Sequence, residues 1–141
     1  MKANELMIGD WVEYRFTGWT EKGGVYKDYQ YVQISTIGDL YIKADNDRVA
    51  SACGELFYPI PLTPEILEKN GFGFTRNNNT DSVWNGWWIY EGLELAVANL
   101  NKEGNWPCFI NIYDSNILCE YVHQLQHALR LCGIEKEIVL R

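Results

Sequence analysis

The chain has 141 residues, 47% of them hydrophobic and 22% charged, a size and balance that fit one folded domain or two small units and exclude a disordered chain. No window approaches the roughly 18 consecutive apolar residues of a bilayer-spanning helix, and the start, MKANELMIGDW, lacks the apolar stretch and small-residue cleavage site of a secretory signal, so a cytoplasmic protein with no membrane partner is expected. With 19 acidic against 12 basic residues, a net charge of -7 and no run of lysine or arginine, the cationic footprint that displaces phosphate counterions is missing, which disfavours nucleic acid as a partner.

Residues 1–60 combine β-forming residues with turn signals. Gly9-Asp10 precedes an alternating run from Trp11 to Phe16, and Gly23-Gly24 precedes a second run over 25–37. In that second run Tyr29, Tyr31 and Gln33 face one way and Val32, Ile34 and Thr36 the other. Turns at Gly38-Asp39 and Asp45-Asn46-Asp47 separate shorter runs at 40–44 and 48–52, and 55–60 supplies a fifth. Five short strands punctuated in this way predict a small, partly open barrel, which removes most unpaired edges. The opening Gly9-Asp10-Trp11-Val12 resembles the first turn and strand of SH3-like barrels, and that resemblance implies architecture rather than any one activity.

Pro59-Ile60-Pro61-Leu62 reads as an extended connector, because each proline disfavours helix at the residue before it. It divides the chain into a unit of residues 1–60 and a unit of residues 61–141. Thr63 reads as the N-cap of a short helix over 63–70, with Pro64 at the first helical position, Glu65 and Glu68 near the positive end of the dipole, and Gly71 past the end. Turn-rich residues 72–113 predict an antiparallel meander of three or four strands. Residues 115–132 predict a long amphipathic helix, and 134–140 an edge strand. The expected fold class is α+β: an SH3-like N-terminal barrel unit, a short helix, a meander and a long C-terminal helix.

The aromatic residues of the second half, Trp84, Trp87, Trp88, Tyr90, Trp106, Phe109 and Tyr113, exceed what one helix needs to cover. Strand alternation sends Trp84, Trp88 and Tyr90 to one face and Trp87 and Ile89 to the other. Asn85-Gly86 interrupts the run as either a tight turn or a bulge that changes the register. Packing of the N-terminal barrel accounts for the second aromatic face; a dimer interface, or a carbohydrate or peptide groove using Trp84, Trp87, Trp88 and Trp106, is the alternative.

His123 and His127 lie four residues apart in a string resembling the zincin H-E-x-x-H pattern, in which two histidines bind zinc and the glutamate activates water. The glutamate position is Gln124, whose amide is no general base. Cys119 is no third ligand on a helix, since about 12 Å of axis separates positions 119 and 127 whereas zinc ligands lie within roughly 2.3 Å of the metal. On a helical wheel Leu118, Tyr121, Val122, Leu125, Ala128, Leu129 and Cys132 form the core arc, which leaves both histidines exposed opposite it. The four cysteines, Cys53, Cys108, Cys119 and Cys132, form no C-x-x-C pair and read as small buried apolar side chains.

Three blocks, ELMIGDWV at 5–12, PIPLTPEILEKNGF at 59–72 and YVHQLQHALRLCGIEKEI at 121–138, resemble a group of small proteins of Bacteroides-type gut bacteria and bacteriophages. The resemblance implies a shared compact fold and carriage on phage or mobile DNA, and it transfers no activity. In that group the last block reads closer to V-H-x-L-Q-N, so His127 departs from it. The function expected from these observations is that of a non-enzymatic interaction or accessory protein without a cofactor, bound to a protein partner or to itself. The alternatives are a metal-dependent hydrolase using His123 and His127, and a carbohydrate or peptide binder using the tryptophans.

Overall fold

The computed structural model describes residues 5–51, 57–98, 108–112 and 115–141, with 48% strand and 14% helix. The chain divides into two compact units, residues 1–60 with Arg141 and residues 61–140, and each is built on one open antiparallel sheet of five strands.

In the first unit β1 (Trp11–Trp19), β2 (Val25–Ile37), β3 (Tyr41–Ala44), β4 (Val49–Ser51) and β5 (Phe57–Tyr58) lie in the order β4-β3-β2-β1-β5. β1 pairs with β2 from Trp11↔Gln33 to Trp19↔Val25. Gly23, at φ 79°, allows the tight reversal between them, and the Thr20 hydroxyl accepts the Gly24 N–H at 2.9 Å. Alternation buries Val12, Val32, Ile34, Ile42, Ala44, Ala50 and Phe57 on one face, together with Leu6. A bulge at Ser35 adjusts that pattern: Ile34 pairs with Ala44 and Ile37 with Ile42, so three steps along β2 match two along β3. Ile34 and Ile37 therefore share the core face. The SH3-like barrel expected here does not close. Among the described residues β4 and β5 are opposite margins of the sheet, β4 pairing with β3 and β5 with β1, so the sheet stays open.

The second unit contains α1 (Pro64–Lys69), β6 (Gly73–Arg76), β7 (Trp84–Tyr90), β8 (Leu93–Ala98), β9 (Cys108–Ile112), β10 (Ser115–Cys119) and α2 (Val122–Leu131). Its strands follow chain order, β10-β9-β8-β7-β6. Thr63 caps α1, its hydroxyl accepting the Ile66 N–H at 3.3 Å. Leu67, Phe72, Trp88, Leu95, Val97, Ile110, Val122, Leu125, Leu129 and Ile138 supply the buried apolar side chains of this unit.

The α+β description with a long terminal helix is corrected to a mainly β fold with two short helices. Residues 115–119 are strand, because Ile117, Leu118 and Cys119 pair with Ile110, Phe109 and Cys108. Helix begins only at Val122. The Gln124 side-chain oxygen accepts the N–H groups of Glu120 at 2.8 Å and Tyr121 at 3.1 Å, satisfying donors that a helix start leaves without intrahelical partners. Residues 134–140 form no ladder. Instead the buried Asn70 amide donates to the Val139 carbonyl at 3.0 Å and accepts the Val139 N–H at 2.7 Å, as a neighbouring strand would. Lys69 Nζ donates to the Leu140 carbonyl at 3.2 Å. No helix among the described residues is long and apolar enough to cross a membrane.

Candidate functional site

The second sheet has two faces of different character. Register assigns Phe74, Trp88, Leu95 and Ile110 to one row and Gly86, Val97, Cys108 and Cys119 to the next on the same face. Most of these residues are buried, so this is the inner face. The opposite face carries Thr75, Trp87, Ala96, Phe109 and Leu118 in one cross-strand row.

Trp84 belongs to that outer face because of a bulge. Gly86 pairs with Val97 but Trp84 pairs with Ala98, so Asn85 is one residue more than the partner strand contains. The extra residue shifts Trp84 by one step of alternation and places it beside Trp87, about 7 Å along the strand. The segment preceding β7 fixes this geometry through hydrogen bonds. Asn77 Nδ2 donates to the Trp84 carbonyl at 3.0 Å and the Asn77 N–H to the Asn85 carbonyl at 2.9 Å. The Ser82 hydroxyl accepts the Trp84 N–H at 3.2 Å. Glycine is required at 86, since a Cβ there would lie 2.5 Å from the Thr75 carbonyl oxygen and from the Phe74 ring.

The tryptophans accordingly do not divide as simple alternation had placed them. Trp84 and Trp87, both half-buried, share the outer face, whereas Trp88 is buried on the inner face with its ring centroid 5.0 Å from that of Phe74. Trp106 lies outside the described residues. Trp84 meets Phe109 edge to face at 5.7 Å. Ala96 and Ala98 stand opposite Trp87 and Trp84, so the neighbouring strand sets methyl groups directly across from the indoles. Toward the other end of the same face, alternation puts Glu94, Asn111 and Asn116, all exposed. The result is an aromatic platform continuous with two amides and a carboxylate.

Phe109 stands in the aromatic inventory of the sequence, but its position beside Trp84 follows only from the ladder. Asn111, Asn116 and Glu94 carry no sequence signal as site residues, and a helix over 115–132 hides Asn116 altogether.

The histidines present a different picture. His123 is buried, not exposed, and His127 is half-buried, because the buried arc of α2 runs through Val122, His123, Leu125, Gln126, Ala128 and Leu129. The His123 ring stacks on Tyr121 at 5.8 Å and meets His127 edge-on at 5.8 Å. Gln124, at the position of the zincin glutamate, is engaged as the helix cap. Cys119 ends β10 instead of preceding His123 on a helix. Among the described residues no group of three or more His, Cys, Asp or Glu side chains is arranged to hold a metal ion.

The first unit has a cleft of about 720 Å³ lined by residues including Arg15, Lys27, Tyr29, Arg48 and Tyr58. Its Arg15 guanidinium is already ion-paired with Glu13 at 2.5 Å and lies 3.9 Å from the Tyr58 ring centroid. The Glu13 hydrogen bond raises the Arg15 pKa further, so that cation is committed within the protein.

No protein-family model matches the chain, and comparison with curated proteins and with solved structures gives no match.

Proposed function

We propose that the protein is a non-enzymatic carbohydrate-binding accessory protein, of the phage or mobile-element origin that its three sequence blocks imply, and that it lays a glycan across the outer face of the second sheet. The observation that carries this reading is the bulge at Asn85, which brings Trp84 and Trp87 onto one face bordered by Ala96 and Ala98. A sugar ring presents a weakly polar face of C–H groups and a rim of hydroxyls. Indole faces match the first, being broad, rigid and apolar, with little conformational entropy to lose. The exposed Asn111, Asn116 and Glu94 match the second, since amides both donate and accept and a carboxylate accepts. An extended peptide would instead use a sheet edge, where backbone groups supply the affinity.

Titration calorimetry and tryptophan fluorescence against soluble oligosaccharides of glucose, xylose, mannose and N-acetylglucosamine test the reading. At least one series is expected to bind, with Trp84→Ala and Trp87→Ala each weakening affinity tenfold or more. Trp88→Phe, on the inner face, leaves affinity within about twofold. Silence across the panel, or equal sensitivity to the inner and outer tryptophans, would remove the platform as the site.

A further inference from the structure

Two of the cysteines stand in a relation that the sequence conceals. Cys108 begins β9 and Cys119 ends β10, and they are direct partners in the antiparallel ladder. Opposed residues of such a ladder point to the same face with Cα atoms about 4.5–5.5 Å apart. A disulfide needs a Cα separation of about 4.4–6.8 Å, so both kinds of ladder position fall inside its range. The two thiols also sense each other. Burial pushes Cys108 up to about 11 and Cys119 up to about 12, and at Cys119 the charge of Cys108 adds to the rise. β10 is a marginal strand of its sheet, so its local opening exposes the pair without dismantling the remaining ladder.

We infer that Cys108 and Cys119 form a reversible intrachain disulfide when the protein meets a small disulfide oxidant such as oxidised glutathione. The inference rests on the β9–β10 register alone and is independent of any ligand on the outer face. In the first step one thiol gives its proton to solvent, and its thiolate attacks a sulfur of the oxidant. The oxidant's S–S bond breaks, a mixed disulfide forms and one glutathione thiolate leaves. The second cysteine, deprotonated in turn, attacks the protein-side sulfur of the mixed disulfide and expels the second glutathione. The protein loses two protons and two electrons, and the oxidant gains them as two thiols. Because the high thiol pKa values leave little thiolate at neutral pH, formation is slow and accelerates about tenfold per pH unit through the mildly alkaline range.

A Cys53→Ser/Cys132→Ser variant isolates the pair from the exposed Cys132 and from Cys53. Incubated with excess oxidised glutathione, it is expected to lose two hydrogens by intact mass, recover them with a dithiol reductant and show a higher Tm when oxidised. Cleavage at Asp114 separates the cysteines, so the oxidised form yields two peptides joined through sulfur. Adding Cys108→Ser abolishes the mass loss. An unchanged mass with both thiols alkylatable in denaturant overturns the inference, as do stable glutathione adducts on both cysteines. Should the double variant fail to fold, a peptide map of the wild-type chain cut both at Asp114 and after Arg130, which separates Cys119 from Cys132, decides between these outcomes.

Discussion

Among the described residues each sheet contains one β-bulge, and the two serve opposite surfaces. At Ser35 the extra residue brings Ile34 and Ile37 to the same face, where both meet the core of the first unit. At Asn85 the extra residue brings Trp84 and Trp87 to the same face, and that face is the outer one. A bulge that gathers aliphatic side chains inward has an evident purpose in packing. One that gathers two indoles onto the outer face, where each keeps part of its surface in water, is the feature that the proposed carbohydrate recognition would use. The contrast is the main physical ground for proposing a binding site on the second sheet.

The sharpest way to break that contrast is to remove a side chain from each bulge. Ile34 is 1% exposed, so Ile34→Ala should cost about 2–5 kcal/mol of unfolding free energy, from lost burial and a cavity that the sheet does not fully close. Trp84→Ala should cost less, about 1–2 kcal/mol, because Trp84 keeps part of its surface in water. Urea denaturation of both variants is the measurement, and comparable losses would mean that Trp84 is a packing residue after all.

A second comparison sets Gly86 against Gly18. A Cβ at Gly86 would press on the Thr75 backbone oxygen, whereas one at Gly18 would meet the ring of Tyr26, itself 44% exposed and able to swing into solvent. Gly86→Ala should therefore destabilise by roughly 1–3 kcal/mol through overpacking, and Gly18→Ala should stay within about 0.5 kcal/mol. Equal effects would show that the β6–β7 ladder yields as easily as the β1–β2 hairpin.

Much of the first level of structure is legible in the chain. Thr63-Pro64 announces a helix through a side-chain acceptor and a pre-set φ, and both act within one turn. The alternation in residues 11–34 announces two strands for the same local reason. What escapes is whatever depends on a partner strand. Ile117 and Leu118 continue the apolar arc of α2 without a break, and only their pairing with Ile110 and Phe109 makes them strand. Ser35 offers no hint of a bulge, while Asn85-Gly86 offers one that fits a turn equally well. The burial of His123 is lost for a related reason: a wheel that begins at Leu118 makes the buried arc too narrow, and the true arc of α2 reaches round to position 123. Glu94, Asn111 and Asn116 converge only through ladder register, so no inspection of neighbours along the chain brings them together.

Smaller effects test the closures that hold the second unit's ends. Asn70 supplies Val139 with both a donor and an acceptor, and Asn70→Ala leaves those backbone groups in search of partners at a cost of about 1–3 kcal/mol. Gln124→Ala removes the acceptor for two N–H groups at the start of α2 and should cost about 0.5–2 kcal/mol. Hydrogen exchange distinguishes the two: the first raises exchange at Val139, the second at Glu120 and Tyr121.

The smallest effect at neutral pH becomes visible only in alkali, and it again separates the units. Burial raises the thiols of Cys108 to about 11 and Cys119 to about 12 from an ordinary value of 9.0. The folded state thus holds its thiol protons at pH values where the unfolded state has released them, and stability falls as pH rises wherever the native state binds more protons. The stabilisation is complete below pH 9 and is lost progressively as pH climbs toward 11 and 12. On the first sheet the Tyr31 hydroxyl is raised in the same direction, by desolvation first and then by Tyr29 and Glu13, but it is far less enclosed and solvent screens most of its effect. Under reducing conditions, unfolding free energies measured from pH 8 to pH 10.5 should decline more steeply for the wild-type chain than for Cys108→Ser/Cys119→Ser, whose hydroxyls do not titrate there. Tyr31→Phe should change the slope little. Parallel declines in wild type and the cysteine variant would mean that the β9–β10 thiols are open to water in the folded protein, and that the marginal strand of the second sheet is as loosely held as the exposed hairpin of the first.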